Sequence, residues 1–432
     1  MFCAGVVAVS AASTRAEPPQ AESPEEALRE LARARGLAPT PPPPESPEPL
    51  RALGGALFFD PALSGEGRHS CSLCHSKLTH YGHSIGTNGS TTEVVIPRGP
   101  PTMVNLHVYG DAFFHDARVE VTPEGLAAPA ELPEPDLPLE IAVFLFAGWG
   151  ADEMIGSPVP GNELHRAWES SFADLWVAIS DRLLDSGYEE MVREAFPEQE
   201  PEDFTFTDAS RAMLAWSVEH FAATDSPWDR WLAGDADAIS DRAKRGALLF
   251  YGEARCSTCH DGPLLDASDT YNLLVPQFGP SYDPEGPRDL GRGGVTGLAA
   301  DHYRFRVPTL RNVTFSFPFM HNGAYPHLED AVRHHLDPVS ALDSWDPSLA
   351  PPRHQPDLGL WISMVDDFEL TEAYRTSLLR TSDAEAARPA RALTDREIDQ
   401  ILAFLDAMSD RHALESLGNA VTEVPGGRAT SH

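Results

Sequence analysis

The chain is short of basic charge: 32 Lys and Arg face 66 Asp and Glu, a formal charge of −34. That shortage excludes a nucleic-acid binder held by counterion release, because phosphate contacts need a basic surface. Long apolar runs are also missing beyond position 17, where nothing reaches the roughly 18 to 20 residues of a spanning helix, so no membrane span is expected. Strand-like alternation is sparse and brief. Disorder is excluded in turn by a composition of 42% hydrophobic and 23% charged residues, which is ordinary for a globular protein. A length of 432 residues suggests two domains. Cysteine is the scarcest informative residue, with five in all. Four of them form two copies of one pattern, Cys71-Ser-Leu-Cys74-His75 and Cys256-Ser-Thr-Cys259-His260, leaving Cys3 alone.

Residues 2–12 form a short apolar run, and Thr14-Arg15-Ala16 resembles a small-x-small cleavage site before Glu17. Residues 1–16 therefore read as a signal peptide whose basic start is missing, and the mature protein is expected to be exported to the periplasm. Cleavage would remove Cys3, which is given no role. From 17 to 49 the chain is rich in Pro, Glu and Ala, including Pro41 to Pro44. Such a composition favours extended polyproline conformations and reads as a linker or disordered lead-in.

Three chemistries use Cys-x-x-Cys. A zinc site needs two pairs sharing one ion, usually ~15 to 20 residues apart, whereas these lie more than 180 residues apart. A thioredoxin-like pair should open a helix after a strand, and neither copy has that setting. Neither explains the His after each second Cys. Covalent attachment of c-type haem does: two thioether bonds hold the porphyrin and the His is an axial iron ligand. Four thioethers and a cleaved Cys3 leave no disulfide to expect.

The residues before the motifs are also alike: Gly55-Ala-Leu-Phe-Phe59 before the first, Gly246-Ala-Leu-Leu-Phe-Tyr251 before the second. A glycine inside a helical apolar pattern costs about 1 kcal/mol relative to alanine, so it marks a close helix contact. Elsewhere Thr394-Asp-Arg-Glu397 is a capping box, followed at helical spacing by Ile398, Ile401, Leu402, Leu405 and Met408. Between Ser210 and Phe221, Leu214, Val218 and Phe221 share a face, and Asp225-Ser-Pro-Trp228 reads as the join between domains. The expected fold is mainly α, with two cytochrome c-like domains each enclosing one covalently bound c-type haem. They span 50–228 and 229–410, and 411–432 is a C-terminal tail.

With these motifs in order, the sequence from about Leu53 to Met408 resembles the bacterial di-haem cytochrome c peroxidase family, which includes the MauG-type enzymes. The resemblance rests on Leu53-Gly-Gly-Ala-Leu-Phe-Phe-Asp60, Arg98-Gly-Pro-Pro-Thr-Met-Val-Asn105, Phe114-His-Asp-Ala-Arg118 and Asp152-Glu-Met154 in the first half. In the second half it rests on Val307-Pro-Thr-Leu-Arg-Asn312 and Pro318-Phe-Met-His-Asn-Gly323. It implies a peroxidatic first haem and a second that stores and relays electrons. Glu153 matches the acid of the peroxide pocket. Heterolysis of an O–O bond needs a group that takes a proton from one oxygen and returns it to the other, and a carboxylate in a partly apolar pocket suits that task.

The resemblance also exposes departures. The His that closes the peroxidatic iron in reductively activated members is matched by Thr87, or by Thr91 on ungapped counting, and neither is a good iron ligand. An open first iron follows, unless His80 or His83 substitutes. The second axial position of the other haem, Met or Tyr in relatives, falls at His335, implying bis-His ligation by His260 and His335 and a lowered reduction potential. His334, one residue earlier, would point about 100° away on a helix. His115 stands where a Trp usually lies between the haems, as polar relay or as space filler. Asp116 and Arg118 would hold that loop by ion pairing, Arg98 joins them as a relay or structural residue, and His321 is expected near a haem propionate. The family's calcium site is weakened, because Gly99 replaces a ligating Asn while Ser316 and Pro318 remain. Residues 336–392 are an insert, expected to cover a haem edge or to mediate a homodimer.

The first functional expectation is a peroxidase that reduces hydrogen peroxide to water with electrons from a small cytochrome c or cupredoxin. The acidic surface would steer a basic donor. The second is a MauG-type oxidase acting on a protein side chain or organic substrate. The third is a non-catalytic di-haem electron carrier, which Glu153 and an open first iron argue against.

Overall fold

The structure, a computed structural model, describes residues 23–75, 98–150, 153–278, 288–350, 353–355, 360–362, 370–416 and 424–425. The leader, His80, His83, Thr87 and Thr91 lie outside the described residues. The chain is mainly helical. Its first half carries α1 (Pro24–Arg35), α2 (Glu48–Phe59), α3 (Cys71–Cys74), α4 (Leu139–Phe146), α5 (Glu163–Ser170), α6 (Phe172–Leu183), α7 (Glu189–Ala195) and α8 (Phe206–His220). The second carries α9 (Pro227–Leu232), α10 (Asp241–Tyr251), α11 (Arg292–Thr296), α12 (Leu328–Leu336), α13 (Pro338–Ser344), α14 (Glu372–Leu379), α15 (Ala384–Ala387), α16 (Asp395–Ala407) and α17 (Arg411–Ser416). The described strands are two to four residues long and make one three-stranded antiparallel sheet and two ribbons.

The two halves repeat one construction. In the first, α2 crosses α8 so closely that a Cβ on Gly54 would lie 1.9 Å from the Ala212 carbonyl oxygen; in the second, α10 crosses α16 and a Cβ on Gly246 would lie 1.9 Å from that of Gln400. The glycine expected at this contact was Gly55; the contact belongs to Gly54, because the helix crossing is registered by the missing Cβ and not by the Gly-Ala-Leu string. A second pair repeats downstream. Asn105 and Asn312 both adopt left-handed backbone, φ 58° and 61°, and both cap a short 3-10 turn. Their N–H groups donate to Phe221 and Met408 carbonyls at the ends of α8 and α16 (3.0 and 3.3 Å), and their Oδ1 atoms accept from Ala223 and Asp410 N–H (2.8 Å each). The duplication is thus legible contact by contact.

One core gathers around α2, α4, α6 and α8, and another around α9, α10 and α16. The segment 17–49 departs from expectation, since α1 belongs to the second core with Leu28 wholly buried. Ser23 and Glu26 form a capping box, Pro24 occupies the first turn, and Gly36 ends the helix at φ 65°. Arg29 lies 4.0 Å over the Trp231 ring and donates to the Trp231 carbonyl, Trp231 Nε1 donates to Glu25 (2.9 Å), and Lys244 pairs with Glu25 (3.0 Å). The proline-rich composition hid a short amphipathic helix with Leu28, Leu31 and Ala32 on one face. Farther on, Thr40 donates twice to Asp229 (2.8 and 3.1 Å). Buried Asp229 also caps α9 with Ser226 and pairs with Arg311 at 3.0 Å, so the join between the halves, the lead-in segment and the Val307–Asn312 motif meet at one carboxylate.

The insert 336–392 packs inward. Leu342, Tyr374 and Leu378 form a small core with Leu274 and Tyr303, and Asn272 and Asp383 exchange two hydrogen bonds of 2.8 Å. Its α15 reaches the second Cys motif.

Two outcomes are expected. G246A should destabilise the protein by about 1–3 kcal/mol, since the new methyl meets backbone and not a yielding side chain. G294A, where nothing lies within 4 Å of the new methyl, is the control; equal thermal unfolding of the two variants would contradict the close crossing. Burial raises the Glu25 pKa, but bonds from Trp231, Arg29 and Lys244 outweigh it and hold the carboxyl near about 2, against an ordinary 4.5. Because the folded value is depressed, its contribution is complete above 4.5 and is lost as pH falls toward about 2. Hydrogen–deuterium exchange of the α1 peptide, corrected for the intrinsic pH dependence of exchange, should therefore increase across that window in the wild type and already be raised at pH 5 in E25Q.

Candidate functional site

Both Cys-x-x-Cys-His motifs make the same tight turn. His75 N–H donates to the Cys71 carbonyl and His260 N–H to the Cys256 carbonyl, each at 2.9 Å, which brings each His back over its own cysteines. The four cysteines form no disulfide with one another. Burial pushes the Cys71 and Cys256 thiols up to about 12, with a smaller push from the neighbouring cysteine in each motif. Such sites favour a neutral sulfur, as in a thioether, over the thiolate that zinc requires.

The first cavity measures about 1240 Å³ including its mouth. Cys71, Cys74 and His75 line it together with Glu153, and Phe58, Phe113, Phe114, Phe144 and Met154 supply apolar wall. Glu153 is placed by a turn in which its N–H donates to the Gly150 carbonyl (3.0 Å) and the Met154 N–H to that of Gly148 (2.8 Å). His69 also lines this cavity, buried, two residues before Cys71; that spacing was the only sequence signal for it.

The second cavity, about 1730 Å³ with its mouth, is lined by Cys256, Cys259, His260 and, from α12, His335. The two imidazole centres lie 6.4 Å apart with their planes at 58°. A metal ion held between two imidazole nitrogens at about 2 Å each sets the ring centres ~6 Å apart, so this spacing fits an ion between them. Each ring is anchored by Nδ1, His260 on the Leu265 carbonyl (2.9 Å) and His335 on the Ala331 carbonyl (2.7 Å), which leaves both Nε2 atoms for a ligand role. Burial, then the other imidazole, pulls His260 down to about 4, and burial lowers His335. Both rings are neutral at pH 7, as metal binding requires. His334 is used up differently: Tyr325 Oη bonds its Nδ1 (2.8 Å) and its Nε2 bonds the Leu273 carbonyl (2.7 Å). Ala387, within the segment 336–392, lines the second cavity.

Pro101, Phe114 and His115 line both cavities and form the wall between them. His115 Nε2 bonds the Gly99 carbonyl (2.9 Å), the Gly99 N–H donates to the His321 carbonyl (2.8 Å), and His321 stacks on Phe305 at 3.6 Å. Through its carbonyl and its N–H, Gly99 therefore ties the His115 ring to the His321 carbonyl. Among the described residues no group of three His, Cys, Asp or Glu converges as a metal site.

Beside the wall, buried Arg98 holds Asp289 bidentately (2.6 and 2.8 Å) and also bonds Asp116, which Arg118 pairs at 3.3 Å. Asp289, far along the chain, was not foreseen. Burial raises both carboxylates' pKa values, but Arg98, with Arg118 at Asp116, outweighs it and holds them below the ordinary range. Arg118 also stacks on Phe114, 3.7 Å from the ring centre.

A mainly helical chain with two large apolar-walled cavities, each headed by a Cys-x-x-Cys-His turn, defines a two-centre haem protein. The family match is specific: the chain belongs to the di-haem cytochrome c peroxidase family, whose sequence profile matches residues 48–237. It is 30% identical over 288 residues to the cytochrome c551 peroxidase of Nitrosomonas europaea, covering 66% of this chain and 71% of that protein. To the methylamine utilization protein MauG of Methylorubrum extorquens it is 28% identical over 396 residues, covering 90% of this chain and 94% of the relative. Among solved structures it shares its fold with a MauG-like protein associated with microbial copper homeostasis (TM-score 0.58, 23% identity, 87% of this chain and 95% of that one). The diheme peroxidase BthA of Burkholderia thailandensis is also similar (TM-score 0.55, 20% identity, 89% and 92%). The chain is an oxidoreductase of this family.

Removing the guanidinium between two buried carboxylates leaves uncompensated charge. R98L should cost about 3–5 kcal/mol in denaturant unfolding; a loss below about 1 would show that the cluster carries little.

Proposed function

We propose that this protein is an exported, periplasmic di-haem peroxidase that reduces hydrogen peroxide to two waters with two electrons from a small cytochrome c or cupredoxin and two protons. The observation that carries the reading is that Glu153 lines the cavity headed by His75, while the other cavity presents His260 and His335 to each other across 6.4 Å. One site thus offers a carboxylate for proton traffic and the other two imidazoles for a closed relay centre. Cys71 and Cys74 would hold one haem by thioethers, and Cys256 and Cys259 the other, within domains 50–228 and 229–410. When bound, haem supplies the electrons and the redox chemistry of O–O cleavage.

The side chains divide the remaining work. Glu153 accepts the proton of one peroxide oxygen and delivers it to the other, so that the departing oxygen leaves as water. The phenylalanine walls keep bulk water from the reacting oxygens. His75 and His260 would hold the two haem irons, and His335 would be a further ligand to the second. His115 stands in the wall between the two centres, His321 and Phe305 line the second cavity beside it, and the Arg98 cluster keeps the halves in register. The formal charge of −34 suits a basic donor.

A MauG-type oxidase is the second reading, favoured by one observation: the match to MauG covers 94% of that protein, against 71% for the Nitrosomonas peroxidase. Oxidation of an organic or protein substrate without consumption of a small donor would favour it.

E153Q should lower peroxide turnover at least about a hundredfold with both haems retained, in line with loss of a general acid–base group. Unchanged turnover would sink the assignment. H335A should convert the low-spin haem spectrum to high-spin while leaving haem content unchanged; an unaltered spectrum would mean another ligand.

A further inference from the structure

The backbone that carries Glu153 is held, peptide by peptide, from outside its own turn. The Met154 carbonyl accepts the Gly65 N–H (2.8 Å), the Ile155 carbonyl accepts Asn162 Nδ2 (2.8 Å), the Gly156 carbonyl accepts His165 Nδ1 (2.7 Å), and the Ser157 carbonyl accepts Asn162 Nδ2 again (2.9 Å). The Ser157 N–H donates to Glu66 Oε1 (3.0 Å). Four consecutive carbonyls are therefore fixed by two sources, the Gly65–Glu66 turn and the first turn of α5.

Both sources are rigid. Asn162 and His165 are 3% and 5% exposed, and Asn162 Oδ1 accepts the His165 N–H (3.0 Å), so the α5 cap and the clamp are one unit. The other ring nitrogen of His165 faces the exposed Glu169 at 3.6 Å. Fit at the opposite side is equally close: a Cβ on Gly65 would lie 1.9 Å from the Ile155 carbonyl oxygen, and Gly156 needs its left-handed φ of 72°. Just ahead of Gly65, the buried Ser64 hydroxyl accepts the Arg68 and His69 N–H groups (3.0 Å each), on the segment that runs into Cys71.

We infer that Asn162 and His165 are positioning residues that lock the Glu153 loop in register with the segment carrying the first Cys-x-x-Cys-His motif. The inference rests on the reading of Glu153 as the proton-handling group. Neither residue lines the cavity; they act through the backbone, replacing a mobile loop by one whose carbonyls are already committed. The chemistry suits the task, because an imidazole and a carboxamide each present a fixed N–H to a backbone carbonyl.

The test uses the haem-loaded protein and two variants. H165L keeps the buried volume and removes the Nδ1 donor; H165N restores an N–H near that position. Hydrogen–deuterium exchange of the peptide spanning 153–157 should rise at least about tenfold in H165L, because the Gly156 carbonyl at its centre loses its anchor. The second-order rate with peroxide should fall at least about tenfold, with the Michaelis constant for the electron donor unchanged. H165N should recover both. Should H165L not fold, N162D takes its place: it keeps the cap on His165 N–H, loses both carbonyl donors, and is expected to show the same two changes. Unchanged exchange in the variant that folds overturns the clamp, as does a slower peroxide reaction that H165N fails to rescue. Loss of the clamp and loss of the Glu153 reading are separable, since full activity in E153Q would remove the latter while leaving the exchange result standing.

Discussion

Each half of the molecule encloses a space that its own side chains do not fill, and everything around that space must hold its shape from outside. The helix crossings that do so are α2 on α8 and α10 on α16, closed to backbone contact at Gly54 and Gly246. At that separation the two helices behave as one slab, and the slab's edge delivers a cysteine turn to the cavity. The bonds from Asn105 and Asn312 to the ends of α8 and α16 then bring back the second wall. Interiors are normally packed as densely as organic crystals, and in a di-haem family the haem is the group that would complete each core.

The charged groups solve a related problem. Bringing two such halves together buries polar side chains at the seam, and a buried charge is tolerable only with partners. Arg98 pairs with Asp289 between the halves and with the nearer Asp116, and Arg311 pairs with Asp229 within the second half. The same logic explains α1: a helix with few apolar residues stays docked because Glu25 and Arg29 both find partners on α9 and α10. Polar groups in the wall between the cavities are paired too, since Gly99 accepts from the His115 ring through its carbonyl and donates to the His321 carbonyl through its N–H.

Much of the site was legible in the chain. Two cysteine pairs followed by His admit few chemistries, and the helical spacing around His335 distinguishes it from His334 by about 100° of rotation. In the fold His335 faces His260, while His334 is bonded to Tyr325 and the Leu273 carbonyl. Less was legible where composition misleads. Proline and glutamate before position 49 concealed a capped helix, and the Gly-Ala-Leu string drew attention to Gly55 when Gly54 makes the contact. Asp289, His69, Asn162 and His165 carried no motif at all.

Local structure was determined by the sequence alone: the Cys-x-x-Cys-His turns, the capping boxes and the helical spacing of His334 and His335 act over a few residues and need no partner. Tertiary structure decided which distant groups meet. Arg98 and Asp289 are 191 residues apart, Thr40 and Asp229 189 apart, and no short-range pattern encodes such pairs. They form because a buried charge or carbonyl must find a partner, and only the folded chain determines which one is within reach.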